Sequence, residues 1–382
     1  MILKNSFGNQ LKSKLLIISA VNFDHGGPLK ILKDCVESAV NVLPKEWKII
    51  AIVHDKNVVL SERIHKIKIP WAKKSWIKRL YVEWVVFKKI SVKFKPDLWI
   101  SLHDITPNVV AKRRVVYCHN PAPFYYPSAN DIFFDWKFII FVLLYKYVYK
   151  IGIKDNYAVI VQQSWIKNKL YKLTGHNNII VARPSVELVN IVHYDKNSYH
   201  NHNHNDNNKF IFFYPAFPRV FKNFEIVCEA FKKLPDEVKD KCELRITLKG
   251  TENPYAKYLY RKYKSTYGIK FLGAMNLKDI NIQYGESNAL LFPSKLETWG
   301  LPISEAKQVG LPMLIADLPY ARETVGDYDK VDFIDPVNVD MWSKKMSEVS
   351  NIDYIWGVSR QSYSEKVVNT WAELIYKLTD NL

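Results

Sequence analysis

The sequence predicts an α/β protein with two doubly wound domains, each a parallel sheet with helices on both faces. Strand-like and helix-like patterns alternate through the first half of the chain, stop at a polar stretch over residues 200–208, and then resume. With 382 residues the chain is also too long for one core, because single cores rarely exceed roughly 250–300 residues. Its 48% hydrophobic and 24% charged residues exclude wholesale disorder.

The first half begins with a buried-strand pattern over residues 14–20, which ends in a turn-rich loop. A helical pattern follows to about residue 42. Because strands and helices continue to alternate after it, we expect a parallel sheet here. The further strands predicted in this half are residues 47–54, 97–102, 114–118 and 158–161.

Residues 200–208 read His-Asn-His-Asn-His-Asn-Asp-Asn-Asn. Histidines at alternate positions could hold a metal ion, but nothing nearby would build a rigid site, so a solvated linker is the favoured interpretation. Strand and helix patterns alternate again after it. The strands predicted there are residues 210–214, 243–248, 269–272, 289–292 and 312–315.

These patterns divide the chain into a first domain over residues 1–199, the linker over residues 200–208, a second domain over residues 209–353 and a C-terminal segment over residues 354–382. The last segment has a helical pattern, and we expect it to cross back onto the first domain. Doubly wound sheets bind ligands at the carboxyl ends of their strands. We therefore expect the two domains to face each other across a cleft that holds the ligands.

The net charge of +17 is concentrated in the first half of the chain. Residues 1–208 hold 31 basic and 15 acidic side chains, whereas residues 209–382 hold 24 and 23. The first half is therefore built to face an anionic partner. No recognition motif for nucleic acid accompanies this charge, so we expect no nucleic acid to bind.

Residues 66–95 hold ten basic side chains and one acidic side chain, interleaved with aromatic residues. This pattern is typical of helices that lie on anionic lipid, although a core-facing helix with a solvated basic back would also produce it. The longest apolar stretch, residues 138–145, is far below the ~20 residues that span a bilayer, and four separated cysteines fit a reducing cytoplasm. We expect a cytoplasmic protein, peripheral on the inner face of the plasma membrane. The predicted membrane surface comprises Lys73, Lys74, Trp76, Lys78 and Arg79.

The most informative stretch is residues 291–312, Leu-Phe-Pro-Ser-Lys-Leu-Glu-Thr-Trp-Gly-Leu-Pro-Ile-Ser-Glu-Ala-Lys-Gln-Val-Gly-Leu-Pro. A strand is predicted at its start, and Pro302 suits the first turn of a helix. Free backbone amides around Gly300, with the positive end of that helix, would suit a diphosphate. Glu297 and Glu305 are eight residues apart and could bind hydroxyl groups at opposite ends of one ligand.

The pattern Glu-Thr-Trp-Gly-Leu-Pro-x-x-Glu-Ala, with its Glu-x7-Glu spacing, resembles the retaining, nucleotide-sugar-dependent glycosyltransferases of family GT4, which have the GT-B fold. The resemblance covers residues 209–335 well and the first domain by architecture only. It implies that the first domain binds the acceptor and the second the donor. It also implies that Glu305 binds the nucleotide ribose and that Glu297 lies at the reacting carbon of the donor sugar. The implied backbone contacts to sugar and diphosphate are those of Thr298, Trp299, Gly300 and Leu301.

A second match to the family is the run Phe-Tyr-Pro-Ala-Phe-Pro-Arg-Val-Phe-Lys-Asn over residues 213–223. The family has an arginine and a lysine here that clamp the donor diphosphate, because fixed cations offset the charge that builds on the leaving nucleotide. Lys222 fits the lysine position. The usual Gly-Arg is replaced by Pro-Ala, so Arg219 would substitute for the arginine. Gly250, in a turn after another strand, would lie beside the nucleotide.

The resemblance also implies roles for residues of the first domain. Gly26 and Gly27 match the family's glycine-rich loop, where the backbone passes close to the donor phosphate; a tight turn is the alternative. His119 ends a strand and occupies the place of a histidine near the donor sugar, which we take as catalytic. His103 and Asp104 end the neighbouring strand and form a candidate acceptor-side pair.

We therefore predict a retaining glycosyltransferase that moves a sugar from a nucleotide-diphosphate donor to a glycan acceptor carried on a lipid. Lys- and Asn-rich composition and the membrane-facing charge favour bacterial surface polysaccharide synthesis, of the O-antigen or lipopolysaccharide type. No cofactor or metal is expected, because the one Asp-x-Asp candidate, Asp327-Tyr-Asp329, reads as a turn. Two alternatives stay open: a nucleotide-sugar epimerase on the same fold and a non-catalytic membrane-binding scaffold.

Overall fold

A computed structural model describes residues 13–23, 26–55, 61–184, 209–351, 353–361 and 366–382. The chain divides into two compact units, each built on one parallel sheet. The α/β class with two doubly wound sheets, predicted from the alternation of strands and helices, is therefore confirmed. The predicted linker, with its three histidines, lies outside the described residues.

The sheet of the first unit contains β1 (Leu15–Ala20), β2 (Lys48–Val53), β3 (Ile64–Lys68), β4 (Leu98–Ser101), β5 (Arg113–Cys118), β6 (Ala158–Val161) and β7 (Ile179–Val181). Their order is β3-β2-β1-β4-β5-β6-β7, and the neighbouring strands run parallel. Every residue of β1 and β4 is buried, as expected of central strands covered on both faces. The order reverses between β1 and β4, so a crevice opens at their carboxyl ends.

The helices of this part of the chain are α1 (Gly26–Val42), α2 (Trp76–Tyr81), α3 (Phe87–Phe94), α4 (Ala129–Lys150) and α5 (Ser164–Thr174). A π-helical segment, Val82–Val86, joins α2 to α3. The prediction of one basic helix over residues 66–95 is wrong in its first part, because Lys66 and Lys68 lie in β3. The run Ile-His-Lys-Ile-Lys pairs in parallel along β2, and Ile64 is its buried residue.

The sheet of the second unit contains β8 (Phe210–Tyr214), β9 (Cys242–Ile246), β10 (Ile269–Phe271), β11 (Ala289–Phe292), β12 (Met313–Ala316) and β13 (Val331–Ile334). Their order is β10-β9-β8-β11-β12-β13, again parallel, with the reversal between β8 and β11. The helices of this unit are α6 (Phe224–Lys232), α7 (Asp236–Lys239), α8 (Pro254–Tyr263), α9 (Leu277–Glu286), α10 (Leu301–Gln308), α11 (Pro319–Val325) and α12 (Val339–Val349).

The segment Pro121–Leu143 belongs to the second unit, although it precedes the linker. Tyr125 and Val142 are buried with Leu296 in one apolar cluster of that unit. The structural division therefore differs from a first domain that runs continuously over residues 1–199. The reason is that aromatic and aliphatic side chains of this segment fill an apolar surface formed by residues far away in the sequence.

The last part of the C-terminal segment, residues 366–382, returns to the first unit, whereas residues 353–361 belong to the second. Its helix α13 (Trp371–Thr379) packs on α1. The helical pattern predicted over residues 354–382 is too long, because residues 353–361 are not helical. Ser359 instead forms an antiparallel bridge with Tyr328, which holds this stretch in an extended conformation.

Candidate active site

Two of the charged residues that the motifs single out, Lys222 and Glu297, meet at the strand-order reversal of the second sheet. Lys222 follows β8, and Glu297 follows β11, the strand that pairs with it. The Nζ atom of Lys222 forms an ion pair with Oε1 of Glu297, and 19% and 14% of the two side chains stay exposed. Loops that leave adjacent strands in opposite directions form the ligand crevice of doubly wound sheets. The predicted diphosphate cation and the predicted sugar-side carboxylate thus lie together in that crevice.

Lys222 is held by a network around the residue that follows it. Asn223 adopts a left-handed conformation with φ of 58°, which asparagine tolerates better than most residues. Its amide nitrogen donates to the carbonyl oxygens of Pro293 (3.1 Å) and Pro336 (2.8 Å). The Tyr214 hydroxyl donates to the carbonyl of Lys222 at 2.6 Å. Asn223 therefore ties together the loops after β8, β11 and β13, a role that the sequence reasoning missed.

The loop that carries Glu297 is fixed in the same way. The backbone N–H of Lys295 donates to the Phe221 carbonyl at 2.7 Å, and the Tyr320 hydroxyl donates to the Ser294 carbonyl at 2.6 Å. Burial raises the pKa of Tyr320 well above its ordinary value, and the nearby Glu297 carboxylate adds to the shift. Glu297 therefore carries its charge beside a buried neutral phenol and a paired ammonium group.

α10 begins directly after this loop. Gly300, its N-terminal cap, has φ of 88°, and a Cβ atom there would lie 3.3 Å from side chains of Ile303 and Phe292. The first N–H groups of a helix have no carbonyl partner within it and suit an anion. In α10, Pro302 has no N–H and that of Ile303 donates to the Gly300 carbonyl at 3.0 Å, so Leu301 is the one of the first three residues whose N–H can serve an anion. Leu301 and Thr298 flank this turn, as the family motif implies. The glycine is thus required by the fold, and the turn that it permits suits a diphosphate.

Two other motif residues take part in the local fold through their side chains. The Trp299 indole N–H donates to Ser304 Oγ at 2.9 Å, and its ring is only 8% exposed. Glu305 Oε2 accepts a hydrogen bond from the Tyr284 hydroxyl at 2.6 Å. Burial and the Glu305 charge both raise the pKa of Tyr284, so this phenol stays a donor. Tyr284 therefore orients the carboxylate that is predicted to bind ribose.

The other predicted donor-side residues of the second unit have less specific surroundings. Arg219 is half exposed, and its Nη1 forms an ion pair with Asp135 Oδ2 at 3.1 Å. Gly250 has φ of 89°, and a Cβ atom there would lie 2.6 Å from Cβ of Tyr260. Its N–H donates to the Glu252 carboxylate at 2.8 Å. Packing alone accounts for this glycine, so contact with the nucleotide stays a prediction.

In the first unit, aromatic residues gather at the reversal between β1 and β4. The ring centroid of Phe23, after β1, lies 5.2 Å from that of His103 and 5.4 Å from that of His119. His103 is 1% exposed, and neither ring nitrogen has a hydrogen-bond partner among the described residues. Burial lowers its pKa well below the ordinary value, and the Arg79 and His119 charges act in the same direction. His103 is therefore neutral.

Asp104 organises the loop that carries His119. It has φ of 62°, and its Oδ1 accepts hydrogen bonds from the N–H groups of His119 (2.6 Å) and Asn120 (3.0 Å). The Tyr149 hydroxyl donates to the same oxygen at 3.2 Å. His119 Nδ1 lies 3.4 Å from Oδ1, without hydrogen-bond alignment. Asp104 thus positions His119, and the roles of both residues toward ligands stay predictions.

The predicted glycine-rich loop is not a loop. Gly26 and Gly27 form the first turn of α1, because the helix already begins at Gly26. Gly27 is exposed, and a Cβ atom added to it would meet nothing within 4 Å. Nothing in the described packing requires glycine at this position. Close approach of a phosphate, which the family resemblance implies, would explain why a glycine is present and stays a prediction.

The predicted membrane surface is exposed except at one residue. Lys73, Lys74, Trp76 and Lys78 lie on or just before α2 and are exposed. Arg79 is partly buried instead, and its Nη2 donates to the His103 carbonyl at 2.9 Å. Arg79 therefore braces the strand end of the candidate site rather than facing lipid. Among the described helices, none combines the length and apolar character that crossing a bilayer requires.

Glu83 is the residue near this site that the sequence reasoning passed over. It lies in the π-helical segment, is 0% exposed, and neither carboxylate oxygen has a partner among the described residues. Burial raises its pKa to about 8, opposed by the charge of Arg79. A single acid with Val and Trp neighbours inside a basic stretch is the signal that could have revealed it.

The described residues contain no group of three or more His, Cys, Asp or Glu side chains arranged to hold a metal ion. Asp329, from the Asp-x-Asp candidate, forms an ion pair with Arg360. The prediction that catalysis needs no metal stays a prediction.

Known proteins with a similar sequence or a similar fold agree with this architecture. Residues 195–366 match the family described as "Glycosyl transferases group 1". Over 120 residues, 31% of this chain, the sequence is 29% identical to the O-antigen chain mannosyltransferase B of Escherichia coli. That match spans about a third (31%) of the length of this curated relative.

Several solved structures share the fold at low identity. WaaG, a glycosyltransferase involved in lipopolysaccharide biosynthesis, matches with a TM-score of 0.62 over 96% of this chain and 100% of WaaG, at 11% identity. The sucrose-phosphate synthase of Thermosynechococcus elongatus gives 0.61 over 88% and 93%, at 14% identity. HepE of Anabaena, solved with UDP and glucose, gives 0.57 over 87% and 89%, at 13% identity.

These likenesses show the GT-B fold of glycosyltransferases, with its two Rossmann-like domains. The family match over residues 195–366 and the mannosyltransferase relative agree with it. The resemblance to GT4-type glycosyltransferases, inferred from the Glu-x7-Glu motif, is confirmed over residues 195–366, which match that family.

Proposed function

We propose that the protein transfers a glycosyl group from a nucleotide-diphosphate sugar to a glycan hydroxyl, with retention of configuration at the anomeric carbon. The observation that carries this proposal is the Lys222–Glu297 ion pair at the strand-order reversal of the second sheet, beside the start of α10. Charged groups held in fixed positions around a crevice are what stabilisation of a leaving diphosphate requires.

In this proposal the second unit binds the donor. The Leu301 N–H at the start of α10 and the ammonium group of Lys222 receive the diphosphate. Glu305, oriented by Tyr284, accepts hydrogen bonds from the ribose hydroxyls. Glu297 lies at the sugar, where its carboxylate accepts from a sugar hydroxyl and stabilises positive charge that develops at the anomeric carbon.

The transfer step breaks the bond between the anomeric carbon and the diphosphate oxygen. The acceptor oxygen bonds to that carbon on the same face, and its proton passes to the departing diphosphate. The protein supplies positioning and charge stabilisation, and no enzyme nucleophile is needed. Because Lys222 and the helix amides carry the diphosphate charge, we propose that no bound metal is needed either.

We further propose that the acceptor is lipid-linked and that the protein acts in surface polysaccharide synthesis at the inner face of the plasma membrane. Two observations support this. The partly matching relative is an O-antigen mannosyltransferase, and α2 with the turn before it presents exposed lysines and an exposed Trp76. Such a combination suits an anionic lipid surface.

The proposal is tested by a thermal-shift screen against UDP-, GDP- and TDP-sugars, since a ligand that prefers the native state raises its stability. The sugar that stabilises most is then incubated with lipid-linked acceptors, with and without a chelator, and the anomeric configuration of the product is read by NMR. An inverted product would exclude retention, and loss of turnover with the chelator would exclude metal independence.

Two results would replace the proposal altogether. Change of the donor sugar without any acceptor would indicate an epimerase. Binding to vesicles with no stabilisation by any nucleotide sugar would indicate a scaffold.

A further inference from the structure

Arg79 of α2 connects two loops that leave the first sheet at its strand-order reversal. Asn22 follows β1, and because a guanidinium group can only donate, the amide oxygen of Asn22 faces it. This oxygen accepts hydrogen bonds from Arg79 Nη1 at 2.8 Å and from Nε at 3.2 Å. Nη2 of the same group donates to the carbonyl of His103, after β4, at 2.9 Å. β1 and β4 pair with each other, so one planar, rigid side chain holds together the loops that diverge there.

The His103 carbonyl belongs to a strained turn. It also accepts from the N–H of Ile105 at 2.6 Å, which closes a three-residue turn around Asp104. Asp104 has φ of 62°, and γ-turns with a positive φ are rare because their backbone is strained. Such a conformation persists only where the surrounding structure holds it. The hydrogen bond from Arg79 acts on the carbonyl that closes this turn.

The turn in turn holds His119 through the side chain at its centre. Asp104 Oδ1 accepts from the N–H groups of His119 and Asn120 at 2.6 and 3.0 Å. The direction of a side chain follows from its backbone conformation, so relaxation of Asp104 to a negative φ would turn its carboxylate away from both N–H groups. The position of His119 therefore depends on the strained turn that Arg79 supports.

A second connection reaches His119 through the loop after β1. Phe23 follows Asn22 directly and is 4% exposed. Its ring lies edge-on against the imidazoles of His103 and His119, with 5.2 and 5.4 Å between ring centroids. Displacement of Asn22 would move this ring. Both connections begin at Arg79 and end at His119.

We propose that Arg79 is a positioning residue of the transfer site: it holds the loops after β1 and β4 so that His119 keeps its place for the reaction. The inference rests on the proposed function and adds to it a residue that acts without contacting a ligand. It also separates Arg79 from the exposed lysines beside it in the sequence, which have no such connection to His119.

Steady-state kinetics of the full chain separate positioning from binding. Arg79→Ala should lower kcat about 100-fold, because a displacement of about 1 Å in a catalytic group can cost that much. The KM for nucleotide sugar should change less than about threefold, since no group that binds the donor is removed. Arg79→Lys keeps the charge but loses the fork that reaches both loops, so its kcat should fall about tenfold.

Arg63→Ala is the matched control for these variants. Arg63 also lies in the first unit, is partly buried, and donates to the backbone carbonyls of Val40 at 2.5 Å and Leu43 at 3.0 Å. It directly precedes β3, however, and therefore lies at the amino ends of the strands, away from the reversal. Arg63→Ala should keep the wild-type kcat. An equal loss of kcat in Arg63→Ala and Arg79→Ala would overturn the proposal, because a general loss of stability would explain both.

Histidine NMR tests the positioning without any turnover. The ring current of Phe23 shifts the imidazole signal of His119, and this signal is identified by its loss in His119→Gln. Arg79→Ala and Arg79→Lys should both move it, whereas Arg63→Ala should leave it unchanged. If circular dichroism shows that Arg79→Ala does not fold, Arg79→Lys carries both measurements. A His119 signal that stays in place in the folded variants would overturn the proposal.

Two further outcomes separate this inference from its alternatives. A higher KM for nucleotide sugar with an unchanged kcat would identify Arg79 as a ligand-binding residue and overturn a positioning role. Wild-type protein that transfers no sugar would contradict the proposed function instead. The NMR comparison of the Arg79 and Arg63 variants would still decide whether Arg79 positions His119.

Discussion

The two sheets each reverse their strand order once, and polar side chains gather at both reversals in opposite electrostatic states. At the reversal of the second sheet, Lys222 and Glu297 are charged, paired and partly exposed. In the first unit, His103 and Glu83 are buried without partners among the described residues, and burial shifts the pKa of each toward the neutral form. Two ionisable groups of the first unit are therefore held neutral by burial, whereas the charged pair of the second unit keeps partial contact with water.

The largest effect should come from breaking the charged pair. We expect Lys222→Ala and Glu297→Ala each to reduce turnover roughly 100- to 1,000-fold, because each removes a group that stabilises charge in the transition state. Initial rates of nucleotide release with donor and acceptor present measure this. Stability should fall by only about 1–2 kcal/mol, since both side chains keep some contact with water.

Lys233→Ala is the matched control for this pair. It breaks an ion pair with Asp340 in the same unit, in which the two side chains are 52% and 83% exposed. We expect no change in turnover and a stability change below about 0.5 kcal/mol. Wild-type rates in both pair variants would contradict the assignment of the site.

The buried carboxyl of the first unit should make stability depend on pH. The pKa of Glu83 is about 8 in the fold against 4.5 in its ordinary environment, so the unfolded chain releases this proton first as pH rises. Wild-type stability should therefore fall between about pH 5 and pH 8, by an amount approaching 1.4 kcal/mol per pH unit. In the Glu83→Gln variant, this pH-dependent part of the stability should be absent.

Urea unfolding of both proteins near pH 5 and pH 8 measures the difference. We expect Glu83→Gln to be more stable than the wild type near pH 8 by on the order of 3 kcal/mol, and the two to be similar near pH 5. An unchanged difference across this range would show that Glu83 has an ordinary pKa.

Alanine substitutions at two glycines should have the smallest effects on stability, and these effects should differ between the two units. Gly250→Ala should destabilise by about 2 kcal/mol, because alanine is strained at φ of 89° and its Cβ would collide with Tyr260. Gly27→Ala should leave stability unchanged or raise it by up to about 1 kcal/mol, because it lies in a helix with open space around it. Calorimetry measures both.

The affinity of the Gly27→Ala variant for nucleotide sugar then tests whether Gly27 takes part in donor binding. If the backbone of Gly27 approaches a phosphate, the alanine variant should bind nucleotide sugar more weakly although its fold is intact. Unchanged affinity would show that the glycine pair has no part in donor binding.

The fold class and the donor motif could be predicted because their signals are local. Apolar strand runs, Gly300 and the Glu297–Glu305 spacing each lie within a short window of sequence. The same is true of Lys222, which follows its strand by a fixed short distance. Features that depend on residues close together in the sequence can therefore be predicted without a structure.

The remaining features depend on partners far apart in sequence. Nothing next to Asn223 indicates that its amide would bind the carbonyls of Pro293 and Pro336. Likewise, Arg79 follows exposed lysines on and just before α2, yet its guanidinium group donates to the His103 carbonyl, 24 positions away. Periodicity predicts which face of a helix is apolar but not what covers that face. The exposure of apolar side chains on α4 could therefore not be predicted from the sequence.

The order of the chain through the two units has a consequence for folding during synthesis. The first unit comprises the described residues within 13–120, 144–184 and 366–382, so its helix α13 is made only after the described residues of the second unit have been translated. Until then the apolar side of α1 that α13 covers stays exposed on the nascent chain. Domains commonly fold one after the other as they emerge from the ribosome. Here the second unit is complete before the first, and a ribosome that stops early releases a chain whose first unit is unfinished.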